Sequence, residues 1–225
     1  MTQQGKNLLG GGRARRTAMR QAEILYARAV AQSRLPTLYT VHGIPDTHDG
    51  RLEAIQLHVI LLLRRLQRGA PEQQAVGQAL FDVLFRDVDN SLREGGVGDL
   101  SVGKWIKKIA RQFYARAAAV EAALETRDRA TLGEVLTDNV YAGNVAPERV
   151  AGLVDYLLDL DAQLATAATG AATGNDPVEA LHFPGPTARQ PGSIAVTAPA
   201  TGSTAIQTTP RGGRVPGAPN EGRAP

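Results

Sequence analysis

The sequence predicts an all-α protein, a single helical-bundle domain of about five to six helices with a disordered N-terminal leader and a long disordered C-terminal tail. Apolar residues recur at i, i+3, i+4 and i+7 through most of residues 20–165, the spacing of one helix face. Strand-like alternation appears nowhere at useful length. The composition also changes sharply at both ends, which leaves a helical domain over residues 17–165.

The two ends lack the apolar residues of a packed domain. Residues 1–16 are basic and glycine-containing, and residues 166–225 are rich in Ala, Thr, Gly and Pro, with nine of the 13 prolines after residue 176. Such segments bury too little apolar surface to offset their chain entropy, so both are expected to be disordered. Within the tail, Leu181, His182 and Phe183 form the one short segment suited to docking on the core.

The first two long helices are predicted over Met19–Leu35 and around Leu52–Leu66. The second begins after turn residues at 45–50. It also has Leu57 and Leu61 on the side opposite its main stripe. A helix that is apolar all round either lies at the centre of a bundle or exposes an apolar ridge to a partner.

The next helix begins at Pro71 and has two apolar stripes, one of which includes Phe81 and Phe85. Glycines 95, 96, 98 and 103 are expected to interrupt the chain before a strongly amphipathic helix, whose apolar stripe runs from Ile106 to Leu124. Opposite that stripe lie four cations without an interspersed acid: Lys104, Lys107, Lys108 and Arg111. Two further helices are expected near Ala130–Val140 and Pro147–Leu164.

Charge separates along the chain although the total is only +3. Residues 1–20 have five basic and no acidic residues and the tail is +1, so residues 21–165 are net −3. General nucleic-acid binding by this core is disfavoured, and no specific nucleic-acid sequence is expected as a partner. Four cations on one face of a negative core predict an interaction surface for an anionic partner. A second cluster, Arg64, Arg65 and Arg68, is read equally well as a solvated helix end or as a binding surface.

No catalytic constellation is found, so the chain is not expected to be an enzyme or to use a cofactor. Gly98 to Lys104 has the spacing of a phosphate-binding loop, but a helix precedes it and Trp105 replaces the magnesium-binding hydroxyl. A helix stop and a new helix capped by Asp99 or Ser101 is the better interpretation. His42, Asp46, His48 and Asp49 are better explained by turn chemistry than by a metal. His58 is expected to be a hydrogen-bonded packing residue.

Several separated blocks resemble the ubiquinol-cytochrome c chaperone family. They are GIPDTHDGR (Gly43–Arg51), Leu57-His58 with LRRL (63–66), ALFD (79–82), and above all SLREGGVGDL (Ser91–Leu100) followed by Val102-Gly103-Lys104. The resemblance covers about residues 20–165. Gly95 stands where a larger apolar residue is expected, and the tail lies outside the family pattern. The resemblance implies a helical, non-enzymatic assembly factor for ubiquinol-cytochrome c reductase that binds newly made cytochrome b.

The predicted partner is therefore cytochrome b or another subunit of that complex, with a ribosome or an anionic membrane surface as a further partner. The alternative is a helical adaptor at an anionic membrane or ribosome with a different client. No run of residues is long and apolar enough to cross a bilayer. A cytoplasmic place is expected, peripheral at the inner face of the membrane, or the mitochondrial matrix in a eukaryote.

The candidate partner-binding residues combine the apolar ridge, the two basic clusters and charged residues of the resembling blocks. They are Arg51, Leu57, Leu61, Arg64, Arg65, Arg68, Phe81, Phe85, Arg93, Asp99, Lys104, Lys107, Lys108 and Arg111. The acid-free leader also has the charge of a mitochondrial presequence, although Gly10–Gly12 and its weak apolar face argue against one.

Overall fold

The computed structural model describes residues 5–141, 143, 145–170 and 181–183, which contain seven helices and no strand. The all-α prediction is confirmed. The helices are α1 (Gly5–Ser33), α2 (Pro36–Thr40), α3 (His48–Gln67), α4 (Pro71–Glu94), α5 (Asp99–Thr126), α6 (Arg129–Val140) and α7 (Pro147–Gly170). The helix that the sequence missed is α2, because five residues are too few to show an apolar stripe.

The predicted helix limits differ from the observed ones mainly at three ends. Helix α1 begins at Gly5 rather than near Met19, so helix extends into the segment for which the sequence favours disorder. Helix α5 already begins at Asp99, and Gly103 lies inside it instead of interrupting the chain. Helix α7 continues to Gly170. The described residues all belong to one unit, Met1–Ser193, whereas a second unit, Ile194–Pro225, lies outside them.

Helix α3 lies at the centre of the bundle. Its apolar residues face every direction, and it contacts α1, α4, α5, α6 and α7. Leu57 is 2% exposed and Leu61 is fully buried. The first of the two alternatives for this helix, a central position, is therefore confirmed.

The turn before α3 is fixed by its own side chains, as the Gly43–Arg51 block predicts. Thr47 caps the helix, because its hydroxyl accepts a hydrogen bond from the Gly50 amide at 3.1 Å. Gly43 adopts a φ of +71°, a left-handed conformation that favours glycine. A Cβ on Gly50 would collide with the carbonyl oxygen of Pro45. This block is thus a structural entry to the central helix.

The predicted stripes of α4, α5 and α7 face the core. Buried residues include Val76 and Leu80 of α4, Phe113 and Val120 of α5, and Leu157 of α7. Helix α4 packs against α1, α3 and α5, which accounts for its two apolar stripes.

Part of the tail also packs on the bundle. Leu181 is 1% exposed and Phe183 is 8% exposed. The Arg28 guanidinium of α1 donates to the Leu181 carbonyl at 2.8 Å, and the Phe183 ring meets His58 edge to face. The prediction that this segment docks is confirmed. The rest of the tail beyond Gly170 lies outside the described residues.

Candidate functional site

The arginines at the end of α3 face acidic side chains of α5 and α7. Arg64, whose side chain is 4% exposed, donates to Glu125 at 2.8 Å and lies 3.3 Å from Asp161. Arg65 donates to Asp161 at 2.6 Å, and Arg68 pairs with Glu125 at the surface. Hydrogen bonds from Arg68 and Arg64 lower the pKa of Glu125 to about 2.

This network corrects the interpretation of the arginine cluster as a partner-facing surface. A charge buried as deeply as that of Arg64 needs oppositely charged groups nearby, and the bundle supplies them from two neighbouring helices. Arg65 is only 15% exposed and is likewise neutralised inside the fold. Arg68 is half-exposed but paired.

The predicted ridge of Leu57 and Leu61 does not exist at the surface. Both side chains are buried against neighbouring helices, so that part of the prediction is wrong. The signal was ambiguous because a helix that is apolar on all sides has the same pattern whether it is central or exposed.

Phe81 and Phe85, the other two apolar candidates for partner binding, form an aromatic cluster with two residues of α5. The Phe81 ring stacks on Tyr114 at 5.1 Å between centroids, and Phe85 meets Phe113 edge to face at 5.9 Å. Phe113 is buried, Phe81 and Phe85 are partly buried, and Tyr114 is 58% exposed. The cluster therefore extends from the core to the surface between α4 and α5.

A groove of about 400 Å³ opens beside this cluster, between α3, α4 and α5. Its apolar lining includes Ile60, Leu63, Phe81, Tyr114 and Ala117. Glutamine side chains and Glu121 stand around it, and Arg64 lines it from the α3 side. An apolar groove with polar groups at its edge is typical of a binding site for an apolar segment.

The outer face of α5 is basic and partly apolar. Lys104, Lys107, Lys108 and Arg111 are all exposed, and none has an ion pair among the described residues. On the same helix Leu100 is 97% exposed and Trp105 is 45% exposed. The Lys108 ammonium lies 5.0 Å from the centre of the Trp105 ring. We call Leu100, Trp105 and these four cations the outer face of α5.

The exposure of Leu100, Trp105 and Tyr114 was not predicted from the sequence. Within the part of the chain that the structure describes, five large apolar side chains are exposed, and these three lie on α5. Their spacing relative to the basic stripe was the available signal: Leu100 stands four residues before Lys104, and Tyr114 three residues after Arg111.

The loop between α4 and α5 is built by the SLREGGVGDL block. Gly96 has a φ of +82°, and the Val97 amide returns to the Leu92 carbonyl at 3.0 Å, a common glycine helix ending. Arg93 pairs with Asp89 at 2.7 Å and also contacts Asp99. The predicted helix stop is confirmed.

The predicted capping of α5 by Asp99 or Ser101 is wrong. Gly98 occupies the cap position and no side chain caps it, while the carboxylate of Asp99 turns back toward Arg93. Arg93 and Asp99 therefore tie α4 to the start of α5. The chain enters α5 from a helix and loop, without the preceding strand of a phosphate-binding loop.

The four polar residues that precede or begin α3 differ in their exposure to solvent. His42 is 7% exposed, whereas Asp46, His48 and Asp49 are exposed. Asp46 accepts from Arg51 at 2.7 Å, which lowers the pKa of that carboxyl group. Arg51 thus has an intramolecular partner at the surface. Among the described residues, no three His, Asp or Glu side chains are grouped as a metal ion would require.

Two polar sites lie inside the bundle. His58 is buried and hydrogen-bonded, as predicted, and burial lowers its pKa to about 4. The sequence did not indicate the second site, in which Arg116 of α5 contacts Glu53 of α3 and donates to the side-chain amide oxygen Oε1 of Gln56 at 2.8 Å. Burial raises the pKa of Glu53 to about 7 against the opposing effect of Arg116. Both sites join helices.

A second cavity of about 620 Å³ lies between α6 and α7. Its lining includes Gly133, Thr137, Val150 and Val154, with Arg129 and Glu134 among its charged residues. Arg129 is paired with Asp155 at 2.5 Å. This cavity lacks the aromatic groups and unpaired cations found on α5, so the groove and the outer face of α5 are the stronger candidate site.

The groove and the outer face of α5 both provide surfaces for recognition of a partner. The groove offers apolar contacts and the outer face of α5 offers positive charge beside it, with Tyr114 next to both. No helix in the described segments is long and apolar enough to span a membrane.

Comparison with known proteins identifies the family of this chain. The model of the ubiquinol-cytochrome C chaperone family matches residues 40–173, from the end of α2 past the end of α7. The crystal structure of the Cbp3 homolog from Brucella abortus is similar, with 31% identity, 80% of this chain and 95% of that chain covered, and a TM-score of 0.67. No curated protein matches the chain. With the family model matching more than half of its length, the chain belongs to the ubiquinol-cytochrome C chaperone family.

Proposed function

We propose that this protein is a non-enzymatic assembly chaperone for ubiquinol-cytochrome c reductase and that it holds newly made cytochrome b. The observation that supports this most directly is the family match over residues 40–173, which contains every residue of the groove between α3, α4 and α5. The structural likeness to the Cbp3 homolog over 80% of the chain supports the same role.

The groove is suited to an apolar client segment. A membrane-protein client exposes apolar helix before assembly, and such surface aggregates or is degraded unless it is covered. Phe81 and Tyr114 offer aromatic surface that is already stacked in place, so little side-chain entropy is lost when a client binds. The nearby glutamine and glutamate side chains keep the empty groove compatible with water.

A site-specific photocrosslink tests both the identity of the client and the position at which it binds. Tyr114 is replaced by benzoylphenylalanine in the full chain, and the crosslinked product is identified during synthesis of the complex. Val41 is the matched control, because it is also an exposed apolar residue, at 49%, but stands outside the groove. We expect a cytochrome b adduct from position 114 and not from position 41. Adducts only to other proteins would contradict the proposed client.

Loss of the gene tests the role itself. We expect a deletion strain to lose assembled ubiquinol-cytochrome c reductase and spectroscopic cytochrome b while other respiratory complexes remain. The full chain should restore both, and a chain with Phe81→Ala and Tyr114→Ala should fold but restore them poorly. Normal cytochrome b in the deletion strain would contradict the proposal and favour a helical adaptor with another client.

A further inference from the structure

We propose that the outer face of α5 binds the surface of an anionic lipid bilayer and places the groove beside the membrane. This inference goes beyond the proposed function and does not depend on the identity of the client. It is derived from the charge, exposure and side-chain types of residues 100–111.

The charge of this face is segregated from the rest of the domain. Lys104, Lys107, Lys108 and Arg111 have no ion pair among the described residues, whereas Arg51, Arg64 and Arg93, on other parts of the domain, are each paired with a carboxylate. Residues 100–120 contain no acid. Four unpaired cations in about two helical turns form a local positive field on a core of net −3. Lipid phosphate groups are the complementary charge, and each cation near such a surface adds to the attraction.

The apolar residues of the same face favour a bilayer over a nucleic acid. Leu100 is 97% exposed, and an aliphatic side chain gains nothing from a phosphate backbone but is stabilised among lipid chains. Trp105 is 45% exposed, and tryptophan concentrates at the boundary between headgroups and hydrocarbon. Lys108 lies over its ring, so that apolar surface and cation are presented together.

The outer face of α5 and the groove share the same helix. Tyr114 lines the groove and comes three residues after Arg111 on the same helix. A bilayer in contact with Leu100 to Arg111 would therefore lie close to the open side of the groove. An apolar segment that leaves the membrane surface would meet the aromatic cluster within one helix length.

The single tryptophan of the chain makes the contact directly measurable. The full-length protein is mixed with vesicles of phosphatidylcholine, or with vesicles in which phosphatidylglycerol replaces part of it, at physiological salt. We expect cosedimentation and a blue shift of the Trp105 emission only with the anionic vesicles. Brominated lipids should quench that emission, because the indole enters the interface. Equal binding to both vesicles, or binding without a shift, would overturn the proposal.

Charge variants locate the surface. Reversal of Lys104, Lys107, Lys108 and Arg111 to Glu should weaken binding at least about 100-fold. The matched control reverses Arg13, Arg15, Arg16 and Arg20, four exposed cations on α1, and should change binding less than about 5-fold. The opposite ranking would overturn the assignment to α5. If the reversed protein loses its helical circular dichroism, the corresponding four Gln substitutions replace it, with the same expected ranking.

A further titration distinguishes a membrane from a nucleic acid. A single-stranded RNA oligonucleotide at the same salt should neither shift the Trp105 emission nor displace the protein from anionic vesicles. An emission shift with RNA and none with vesicles would overturn the proposal in favour of a nucleic-acid surface. Because none of these measurements contains cytochrome b, their failure is separate from failure of the proposed chaperone role.

Discussion

The Tyr156 hydroxyl of α7 and the His58 imidazole of α3 form a 2.7 Å hydrogen bond inside the bundle. The other ring nitrogen, Nδ1, lies 2.7 Å from the Ala54 carbonyl, which can only accept, so Nδ1 bears the proton and Nε2 accepts from Tyr156. Gln32 of α1 in turn donates to the Tyr156 oxygen at 3.0 Å. One neutral chain of hydrogen bonds thus joins three helices.

This network predicts a loss of stability in weak acid. Burial lowers the folded-state pKa of His58 to about 4 from an unfolded value of 6.5. Because the folded state favours the neutral ring, the stabilisation is complete above pH 6.5 and disappears as the pH falls toward 4. The difference between these two pKa values corresponds to about 3 kcal/mol of stability.

The measurement compares the wild type with His58→Gln over the same pH range. The variant cannot gain a proton at position 58, so its deficit in unfolding free energy should be largest at neutral pH and shrink toward pH 4. Other groups that titrate in this range, including Glu53, contribute to both proteins and cancel in the difference. A constant difference across pH would show that His58 has the same pKa in the folded and unfolded states and is therefore not buried.

The docked tail segment predicts where the chain can be shortened. Truncation after residue 170 removes Leu181 and Phe183 from the core and should lower the thermal midpoint, whereas truncation after residue 190 should leave it nearly unchanged. Phe183→Ala should lower the free energy of unfolding by about 3 kcal/mol, the lower end of the range for a buried Phe. Equal midpoints for both truncations would mean that the segment does not pack in solution.

Periodicity was sufficient to predict the longer helices and the inner face of α5, but not the five-residue helix α2. Phe113 and Val120 were predicted inward from the i, i+7 spacing alone and are 1% exposed. Thr47 and Gly50 could be placed at the start of α3 because a cap and its turn are local chemistry. These features depend on residues within one or two turns of each other, which a sequence displays directly.

The sequence could not show whether the arginine cluster and the Leu57 and Leu61 ridge face solvent, because their neighbours are distant along the chain. Arg64 is neutralised by Glu125 and Asp161, which lie 61 and 97 residues away along the chain. Whether Leu57 faces a neighbour or solvent also depends on the packing of distant helices. The groove required the same long-range information, because its lining comes from α3, α4 and α5 together.

The internal role of Arg64 predicts a stability difference between two neighbouring arginines. Arg64→Ala should cost about 3 kcal/mol, the lower end for breaking a buried ion pair, because Asp161 retains Arg65. Arg68→Ala should cost less than about 1 kcal/mol, since that pair is exposed. Urea unfolding of both variants gives the comparison. Equal small costs would mean that Arg64 is solvated and available to a partner.

Two helical glycines predict opposite effects of the same substitution. A Cβ on Gly50 of α3 would collide with the carbonyl oxygen of Pro45. Because this oxygen belongs to the backbone, it cannot move without disturbing the turn. Gly50→Ala should therefore lower the free energy of unfolding by at least about 2 kcal/mol. Gly103 of α5 has nothing within 4 Å of such a Cβ. Alanine there reduces the entropy of the unfolded chain and should stabilise the protein by about 0.5–1 kcal/mol. Thermal unfolding of the two variants supplies the test. A destabilising Gly103→Ala would show that α5 does not begin as early as Asp99, and that residues before Lys104 form the loop that the glycine spacing first predicts.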